Sequence, residues 1–403
     1  MKKKKVMVLA GSRWQIPIIK KLKEMGHTVL DINPFEDSPA FRYSDEYALL
    51  DILDKEACLE YAKEHKIDAV LSEECDIAVP TVAYIADCLK LPSIGIDMAK
   101  LYTNKYCMRE FCKKNGLHFP EYRKCRTIEE AKNFLCTLNR KIIIKPLDAN
   151  SSRGVFTIEC EDDLENHFGE AMSYSKNEKC VIAERYINGK EFTIDGIKTP
   201  GRHYTMAISE KKHYSNNENV ASELYFSHSN NKYDYKKLIE CNDKFINTSG
   251  LPYGLTHAEY KYEDGEYYLI EVAARGGGNL ISSDIVPIMT GIDNYKYLID
   301  CSIYGAEEHI FDIPEKYRNR CAVLKFFDVP GNGGIVDKIE GLEYFDNNPN
   351  IPAWNLYFKE GDAITPAKDD SMRIGFYIAY ADSHEELDNI MLQVKDKLNI
   401  TIK

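Results

Sequence analysis

Two acids, an arginine and three glycines lie close together in residues 259–283, a stretch that otherwise has the composition of β-strands. Glu259 and Glu271 flank a turn-like sequence, Arg275 follows four residues after the second acid, and glycines occupy 276–278. Mg²⁺ prefers one or two carboxylates completed by phosphate oxygens and water, and arginine suits a two-point contact with a carboxylate or phosphate. We therefore expect a divalent cation site beside an anion site.

The turn between the two acids decides whether they share a face of the sheet. If Asp264 and Gly265 formed a two-residue turn, Glu259 would pair opposite Ile270 and point away from Glu271. The two acids could then not bind one cation. The length of this turn is therefore the condition on which the metal site depends.

A three-residue loop over 263–265, with glycine in the left-handed position, gives the other register. His257 then lies opposite Glu271, and Glu259 lies diagonal to it on the same face. Arg275 joins that face by simple alternation along the strand. The sequence Glu-Asp-Gly fits this loop, so we predict it.

The glycines that follow, Gly276, Gly277 and Gly278, would let backbone amides approach an anion closely. The next residues, "NLISSDIVPIM", predict a helix whose N-terminus favours negative charge. The alternative is structural, namely an ion pair of Glu271 with Arg275 or Lys261 on a solvated sheet face. That pair would not explain three glycines and a second acid in register.

The segment "KPLDANSSRGV" predicts a β-hairpin loop that could bind phosphate. Lys145 ends an apolar strand, and Ser151, Ser152 and Gly154 offer hydroxyl and backbone N–H groups on an uncrowded turn. The loop lacks the G-K-[ST] sequence of a Walker A motif. Taken alone, it is more typical of an exposed hairpin carrying a solvated lysine.

The segment "AERYINGKEF" places Glu184 and Glu191 seven residues apart around a turn. With Tyr186 and Ile187 extended between them, such a strand edge could bind adenine through its backbone and ribose through a carboxylate. Taken alone, it is also typical of a surface hairpin with two solvated acids.

The first 98 residues predict a doubly wound α/β domain, because β-type runs alternate with helical periodicity from residue 5 onward. Asp31 ends the second strand, where a ribose-binding acid would lie in a dinucleotide-binding domain. Gly11 stands alone, however, where G-x-G-x-x-G would be needed, so we do not expect a nicotinamide or flavin site here.

Beyond this domain the pattern changes to alternating helices and antiparallel strands. We predict one helix over 99–119 ending at Gly116, and a second helix that begins at a capping box formed by Thr127 and Glu130. The other predicted elements are a strand pair over 141–158, a strand pair around 188–189, surface loops over 211–235, a helix over 291–305, and strands and turns from about 326 that end in a helix.

Composition excludes several classes of partner. The formal charge of −12 and the pI near 5.4 do not suit a surface that follows nucleic acid phosphates. No apolar run is long enough for a membrane span, and "VMVLA" after the lysines at 2–5 is too short for a signal peptide. Twelve scattered cysteines without a C-x-x-C pair indicate reduced thiols, and hence a cytoplasmic protein.

Taken in order, Lys105, Lys145 with "DANSSRG", "ERYINGKE" and "HAEYKYEDGEYYLIEVAARGGG" resemble the ATP-grasp superfamily. Among its members, the chain is most similar to ATP-dependent carboxylate–amine ligases of the L-amino acid ligase kind. The resemblance implies an N-terminal α/β domain (1–98) followed by an α+β ATP-grasp fold of two mainly antiparallel subdomains (99–186 and 187–325) and a C-terminal α+β segment (326–403).

The resemblance also implies roles for individual residues. Lys105 and Lys145 would contact ATP phosphates, and the loop at 148–154 would close over them. The remaining implied contacts are Glu184 to Ile187 with adenine, Glu191 with ribose, Glu259 and Glu271 with Mg²⁺ or Mn²⁺, and Arg275 with the acyl substrate, beside the substrate-facing Gly276, Gly277 and Gly278. Ala273 and Asn104 stand where many members carry Asn and Asp, respectively. The replacement at Ala273 leaves open whether one or two metal ions bind.

The implied reaction activates a small carboxylate as an acyl phosphate and joins it to an amine. His257 could accept the amine proton, or it could support a metal-binding carboxylate, which we favour. Two alternatives are an enzyme that phosphorylates bicarbonate or another small acid, as in biotin carboxylase or carbamoyl phosphate synthetase, and a nucleotide-binding regulator without turnover. The substrates, the pathway and the number of subunits stay open, a homodimer being one option.

Overall fold

The computed structural model describes residues 2–147, 153–175 and 178–403, and its strands form four sheets. The N-terminal sheet is parallel, in the order β3-β2-β1-β4. Its elements are β1 (Lys5–Leu9), α1 (Ile16–Glu24), β2 (Thr28–Ile32), β3 (Glu46–Ala48), α2 (Lys55–His65), β4 (Ala69–Leu71) and α3 (Val79–Leu89).

Helices cover both faces of this sheet, as the apolar sequence of β1 requires. Val6 and Val8 belong to the same core as the buried face of α1, whereas Met7 and Leu9 belong to the core formed with α2 and α3. The predicted doubly wound domain is therefore confirmed, and its strands end at the edge that carries the loops after β1 and β4.

The predicted single helix over 99–119 is wrong, because the chain breaks at Asn104. Helix α4 (Ile96–Thr103) ends there and α5 (Lys105–Lys114) begins. Asn104 has extended backbone angles, and its side chain accepts a hydrogen bond from the Cys107 N–H at 3.0 Å. The side chain thus caps α5 and places Lys105 in the first helical position.

A small antiparallel sheet follows, in the order β5-β8-β6-β7. It consists of β5 (Tyr122–Cys125), β6 (Ile142–Pro146), β7 (Phe156–Ile158) and β8 (Val181–Arg185), with α6 (Ile128–Leu138) and α7 (Glu161–Ser173) packed against it. The Thr127–Glu130 capping box is present, and β6 pairs with β7 as the predicted hairpin.

The largest sheet has eight antiparallel strands, in the order β13-β12-β9-β10-β11-β14-β18-β16. In chain order its region contains β9 (Lys190–Lys198), β10 (His203–Tyr214), β11 (Asn217–Phe226), α8 (Tyr235–Ser249), β12 (Gly254–Glu263), β13 (Glu266–Ala273), α9 (Val286–Thr290), α10 (Asn294–Tyr304) and β14 (Cys321–Phe326). The predicted strands around 188–189 exist as β8 and β9, but they lie in different sheets rather than pairing with each other.

Residues 211–235 are not a run of surface loops. Most of the first half lies in β10 and β11, and polar side chains such as Lys211 and His213 face a large internal cavity. Polarity predicted solvent exposure here, whereas the polar groups are instead paired with buried acids.

The last segment divides between two sheets. Its elements are β15 (Gly334–Glu340), α11 (Glu343–Asn347), β16 (Ala353–Leu356), β17 (Ala363–Ile364), β18 (Gly375–Ala381), α12 (His384–Lys397) and β19 (Asn399–Ile402). β16 and β18 extend the large sheet, while β15, β17 and β19 form a small one. The described part of the chain contains no helix long and apolar enough to cross a membrane.

Candidate active site

The turn between β12 and β13 differs from the prediction. Glu263 pairs with Glu266, so Asp264 and Gly265 alone form a two-residue turn. Both have positive φ, 51° and 86°, as a tight turn of this twist requires. The predicted three-residue loop is therefore wrong, and the turn by itself would place Ile270 opposite Glu259.

A β-bulge at Ile270 corrects the register. Tyr260 pairs with Leu269, whereas Glu259 pairs with Glu271, so one residue of β13 is passed over. A bulge adds one residue to one strand and shifts every later pair by one position. Glu259 therefore lies directly opposite Glu271, not diagonal to it, and His257 lies opposite Ala273 rather than Glu271.

The face that carries the two acids lines a cavity of about 1120 Å³. Loops of the N-terminal domain, the small sheet, the large sheet and the last segment all contribute to its wall. The candidate residues found in this wall are Lys105, Lys145, Glu191, His257, Glu259, Glu271, Arg275 and Gly278. Residues from four separate parts of the chain thus meet at one place.

Two lysines neutralise the acids inside this cavity. Lys105 Nζ lies 2.8 Å from Glu271 Oε1, and Lys211 Nζ lies 2.8 Å from Glu259 Oε1 and 2.6 Å from Glu191 Oε1. Burial opposes the charged form of Glu259, but Lys211 outweighs it and holds the pKa of this carboxyl well below its usual range. Glu259 is therefore available as an anionic oxygen ligand.

The donor set fits a cation that shares its coordination with phosphates. Among the described residues, no group of three or more His, Cys, Asp or Glu could hold a metal ion alone. Glu259 and Glu271 supply hard oxygen donors, and Mg²⁺ commonly takes one or two carboxylates together with substrate phosphates. The pair is thus suited to a metal that arrives with a nucleotide.

The side chain of Glu184 forms two buried ion pairs. Its side chain is 0% exposed and lies 2.7 Å from both Arg109 Nε and Lys145 Nζ. Burial would raise the pKa of Glu184, but the two cations lower it to about 2. The enclosed carboxylate holds Lys145 at the cavity wall, and the adenine contact predicted for the backbone of this strand stays a prediction.

Three other residues predicted for the nucleotide, Tyr186, Ile187 and Gly154, lie outside the wall of the cavity. Ile187 is buried, and Tyr186 stacks between Lys141 and Lys261, whose Nζ atoms lie 4.4 and 4.5 Å from its ring centroid. Gly154 is in the left-handed region at φ 69° and packs by Tyr174. Gly276 and Gly277 are also absent from the residues that line the cavity. Ser151 and Ser152 lie outside the described residues.

Arg275 is held by a residue of the N-terminal domain. Its Nε and Nη2 donate to the two carboxylate oxygens of Asp76 at 3.0 and 2.6 Å, and its Nη1 donates to the Gly276 carbonyl at 2.8 Å. Burial opposes charge on Asp76, yet Arg275 outweighs it and lowers the pKa of that carboxyl. The two-point ion pair fixes the guanidinium plane at the cavity wall.

Two of the three glycines are required by packing rather than by an anion. A Cβ at Gly276 would overlap the Ser282 hydroxyl and a carboxylate oxygen of Glu73. A Cβ at Gly277 would press on Asp195 and His257. The predicted helix after them is short, since one wide turn at Ile281–Ile285 leads into the five-residue α9.

His257 is held between two acids. Its Nδ1 lies 2.8 Å from Asp195 Oδ1, and its Nε2 lies 3.9 Å from Glu259 Oε1. Burial would lower the pKa of the imidazole, but Asp195 outweighs it and raises the pKa to about 9. A protonated ring near neutral pH orients Glu259 and does not accept a proton.

Sequence reasoning missed three residues of this region, although each left a signal. Asp76 ends the acidic run "SEECD" directly after β4, at the carboxyl edge of a parallel sheet. Lys211 belongs to the polar alternation Ser-x-Lys-x-His of β10, which indicates a polar strand face. Arg109 stands on the buried side of α5 with Met108 and Cys112, where a charge needs a buried partner.

Two protein families match this chain, and one of the matches contains the acid pair. Residues 138–284 match the family described as the ATP-grasp domain, and residues 326–403 match L-amino acid ligase C-terminal domain 2. The first match covers every residue of the acid pair, the bulge and the three glycines.

Relatives with described activities are distant in sequence. The chain is 22% identical to the L-arginine-specific L-amino acid ligase of Bacillus subtilis over 345 residues, which are 85% of this chain and 82% of that protein. It is 24% identical to the alanine–anticapsin ligase of Bacillus subtilis strain 168 over 286 residues, which span 64% of this chain and 58% of that protein.

Among solved structures, the L-amino acid ligase from Bacillus licheniformis matches with a TM-score of 0.84 and 22% identity, over 100% of both chains. At this identity the likeness shows the fold. The four sheets described above therefore form an ATP-grasp fold with N-terminal and C-terminal additions.

Proposed function

Because residues 138–284 match the ATP-grasp domain and residues 326–403 match L-amino acid ligase C-terminal domain 2, we propose that the chain is an ATP-dependent ligase that activates a carboxylate as an acyl phosphate and joins it to an amine. The observation that carries this proposal is the pairing of Glu259 with Glu271 inside a cavity that also contains Lys105, Lys211 and Arg275. The two carboxylates suit the metal ion of a metal–triphosphate. The surrounding cationic side chains suit its phosphates and a substrate carboxylate.

In this proposal Glu259 and Glu271 would hold Mg²⁺ or Mn²⁺, which when bound would neutralise the charge that spreads over the transferred phosphoryl group. Lys105 and Lys211 already contact these acids, so they can move to phosphate oxygens once the acids have another cation. Lys145 is fixed by Glu184 and would contact the phosphates from the small sheet.

The chemistry would take two steps. A substrate carboxylate oxygen attacks the terminal phosphorus of ATP, and the bond to ADP breaks as the acyl phosphate forms. The amine nitrogen then attacks the acyl carbon, the carbon–oxygen bond to phosphate breaks, and the amine loses a proton. Arg275, oriented by Asp76, would hold the acyl oxygens while negative charge develops.

His257 would position Glu259 during these steps rather than act as the base. Its ring stays protonated near neutral pH beside Asp195, so the proton from the amine would leave to phosphate or to water. The acyl phosphate is destroyed by water, and closure of the loop that follows Lys145 over the cavity would exclude it.

A product screen tests the proposal. The protein is incubated with ATP, Mg²⁺ and pooled amino acids, and ADP, phosphate and new masses are followed. We expect ADP, phosphate and an amide in equal amounts. Turnover stimulated by bicarbonate alone would instead assign the chain to the carboxylase class, and ATP binding without turnover on any acid would make it a regulator.

A further inference from the structure

A second cavity, of about 490 Å³, lies beside the first. Both tryptophans of the chain, Trp14 and Trp354, line it together with Phe345, Phe376 and Ile351. Its acid, Asp346, already accepts a hydrogen bond from Trp354 Nε1 at 3.2 Å. Most of the lining residues are aromatic or aliphatic, and Arg13, Asp346 and Asn355 add polar groups, which suits a flat apolar group that carries a polar end.

Two short loops separate the cavities. Arg13 and Trp14 line both of them, while Asn279 lines the larger one and its neighbour Leu280 lines the smaller. Asn279 and Leu280 both have positive φ, 56° and 66°, which is unusual for two successive residues other than glycine. The second loop follows Gly278 directly, so the smaller cavity adjoins the proposed acyl site.

Arg13 is a charged group without a matching acid. Its guanidinium carbon lies 4.5 Å from the ring centroid of Tyr357 and 5.8 Å from that of Trp14, and no acid of the described chain forms an ion pair with it. Its loop is held in place, because Gln15 Nε2 donates to the Glu73 carbonyl at 2.5 Å. An exposed guanidinium stacked on a ring and fixed between two cavities suits a carboxylate ligand.

We propose that the smaller cavity holds the side chain of the amine substrate, which is an amino acid with an aromatic side chain. Arg13 binds the free carboxylate of this amino acid, and the amine passes Trp14 into the larger cavity towards the acyl carbon. The inference rests on the proposed ligase reaction. It adds the class of the second substrate and the residue that holds its carboxylate.

Tryptophan fluorescence tests this without turnover, because both tryptophans line the cavity. L-phenylalanine, phenethylamine, which lacks the carboxylate, and L-alanine, which lacks the ring, are each titrated against the protein. We expect a saturable change in tryptophan emission with L-phenylalanine. The two analogues should need at least about tenfold higher concentrations, since each lacks one contact. Equal response to phenethylamine would remove Arg13 from the proposal, and no response to L-phenylalanine would overturn it.

Arg13→Gln and a matched control, Arg42→Gln, complete the experiment. Arg42 is exposed and lies 4.9 Å from the Tyr43 ring centroid, an equivalent stacking away from both cavities. We expect Arg13→Gln to weaken L-phenylalanine binding at least about tenfold, and Arg42→Gln to leave it unchanged. An unchanged affinity in Arg13→Gln would overturn the carboxylate assignment.

Turnover separates this inference from the reaction it rests on. If L-phenylalanine binds as expected but no amide forms with any acid, the ligase proposal fails and the binding site stands. If amides form, Arg13→Gln should raise KM for the aromatic amino acid with little change in kcat. An amide product made only from small amines, with no fluorescence response, would refute the cavity assignment and leave the ligase intact.

Discussion

Glu184 in the small sheet and Glu271 in the large sheet are both bound by a lysine, yet their surroundings differ. Glu184 is 0% exposed and enclosed by Arg109 and Lys145, whereas the Glu271 side chain is 36% exposed and faces the cavity with Lys105 as its partner. Glu184 itself has no exposed surface for another partner. Glu271 can exchange its lysine for an incoming cation.

This contrast separates what holds the fold from what performs chemistry. A buried carboxylate with two cations is costly to break, because each removed charge leaves another unpaired in a low-dielectric region. Changing Glu271 should cost less stability, since its carboxylate is partly exposed and only one cation, Lys105, loses its partner. The two acids should therefore respond in opposite ways to the same substitution.

Glu271→Gln should give the largest effect on activity. Removing one carboxylate of the proposed metal pair is expected to lower kcat at least roughly a hundredfold, while the melting temperature changes little. Glu266→Gln on the same strand is the matched control, because Glu266 pairs with Lys237 away from the cavity. Near-normal turnover in Glu271→Gln would contradict the metal assignment.

Glu184→Gln should give the opposite pattern, a large loss of stability. We expect the free energy of unfolding to fall by about 3–5 kcal/mol, because Arg109 and Lys145 lose their common counter-charge. Urea unfolding measured beside the wild type checks this. A stability loss no larger than that of Glu271→Gln would erase the distinction between the two acids.

The pH dependence of stability sharpens the same point. The pKa of Glu184 is lowered to about 2 in the folded chain, so its contribution is present above the ordinary pKa of 4.5 and is lost as pH falls through about 2. The difference in unfolding free energy between wild type and Glu184→Gln should therefore shrink between about pH 5 and about pH 2. A constant difference over this range would show that the charge on Glu184 is not its source.

The glycines offer a comparison within one loop. Gly276→Ala should cost about 1–3 kcal/mol of stability and lower turnover, because its Cβ would overlap Ser282 and Glu73. Gly278→Ala should be tolerated in stability, since nothing lies within 4 Å of the Cβ it would carry. Thermal unfolding of both variants measures this, and equal destabilisation would contradict the packing argument.

The smallest expected effect lies at the start of α5. Asn104→Ala should lower the free energy of unfolding by about 1 kcal/mol, because the Cys107 N–H loses its cap and the first turn, which carries Lys105, loosens. Asn104→Asp retains an acceptor at this position and should remain close to the wild type. If Ala and Asp behave alike, the cap does not hold this turn.

Much of the fold followed from local pattern. The continuous apolar run of β1, the capping box at Thr127 and the hairpin of β6 and β7 are all encoded within a few residues, and all three were predicted. The break at Asn104 was missed because helical periodicity continues across it. The strands around Lys211 were missed because their polar residues have partners far away in sequence.

The shared face of Glu259 and Glu271 was predicted from a turn of the wrong length. The sequence Glu-Asp-Gly supports turns of two or three residues, and a bulge depends on packing around the strand rather than on the letters at the turn. Ile270 carries that bulge, and its carbonyl accepts a hydrogen bond from Arg109 Nη2 at 2.5 Å. This long-range contact with α5 could not be read from the hairpin itself.

The bulge at Ile270 also sets a rule for how this hairpin can change in length. One residue added to the turn alone would rotate Glu259 away from Glu271, and one residue lost from the bulge must be balanced by one gained in the turn. Length changes in the two places are therefore tolerated only as compensating pairs. Evolutionary changes in the length of this hairpin are limited to combinations that keep both carboxylates on the same face of the sheet.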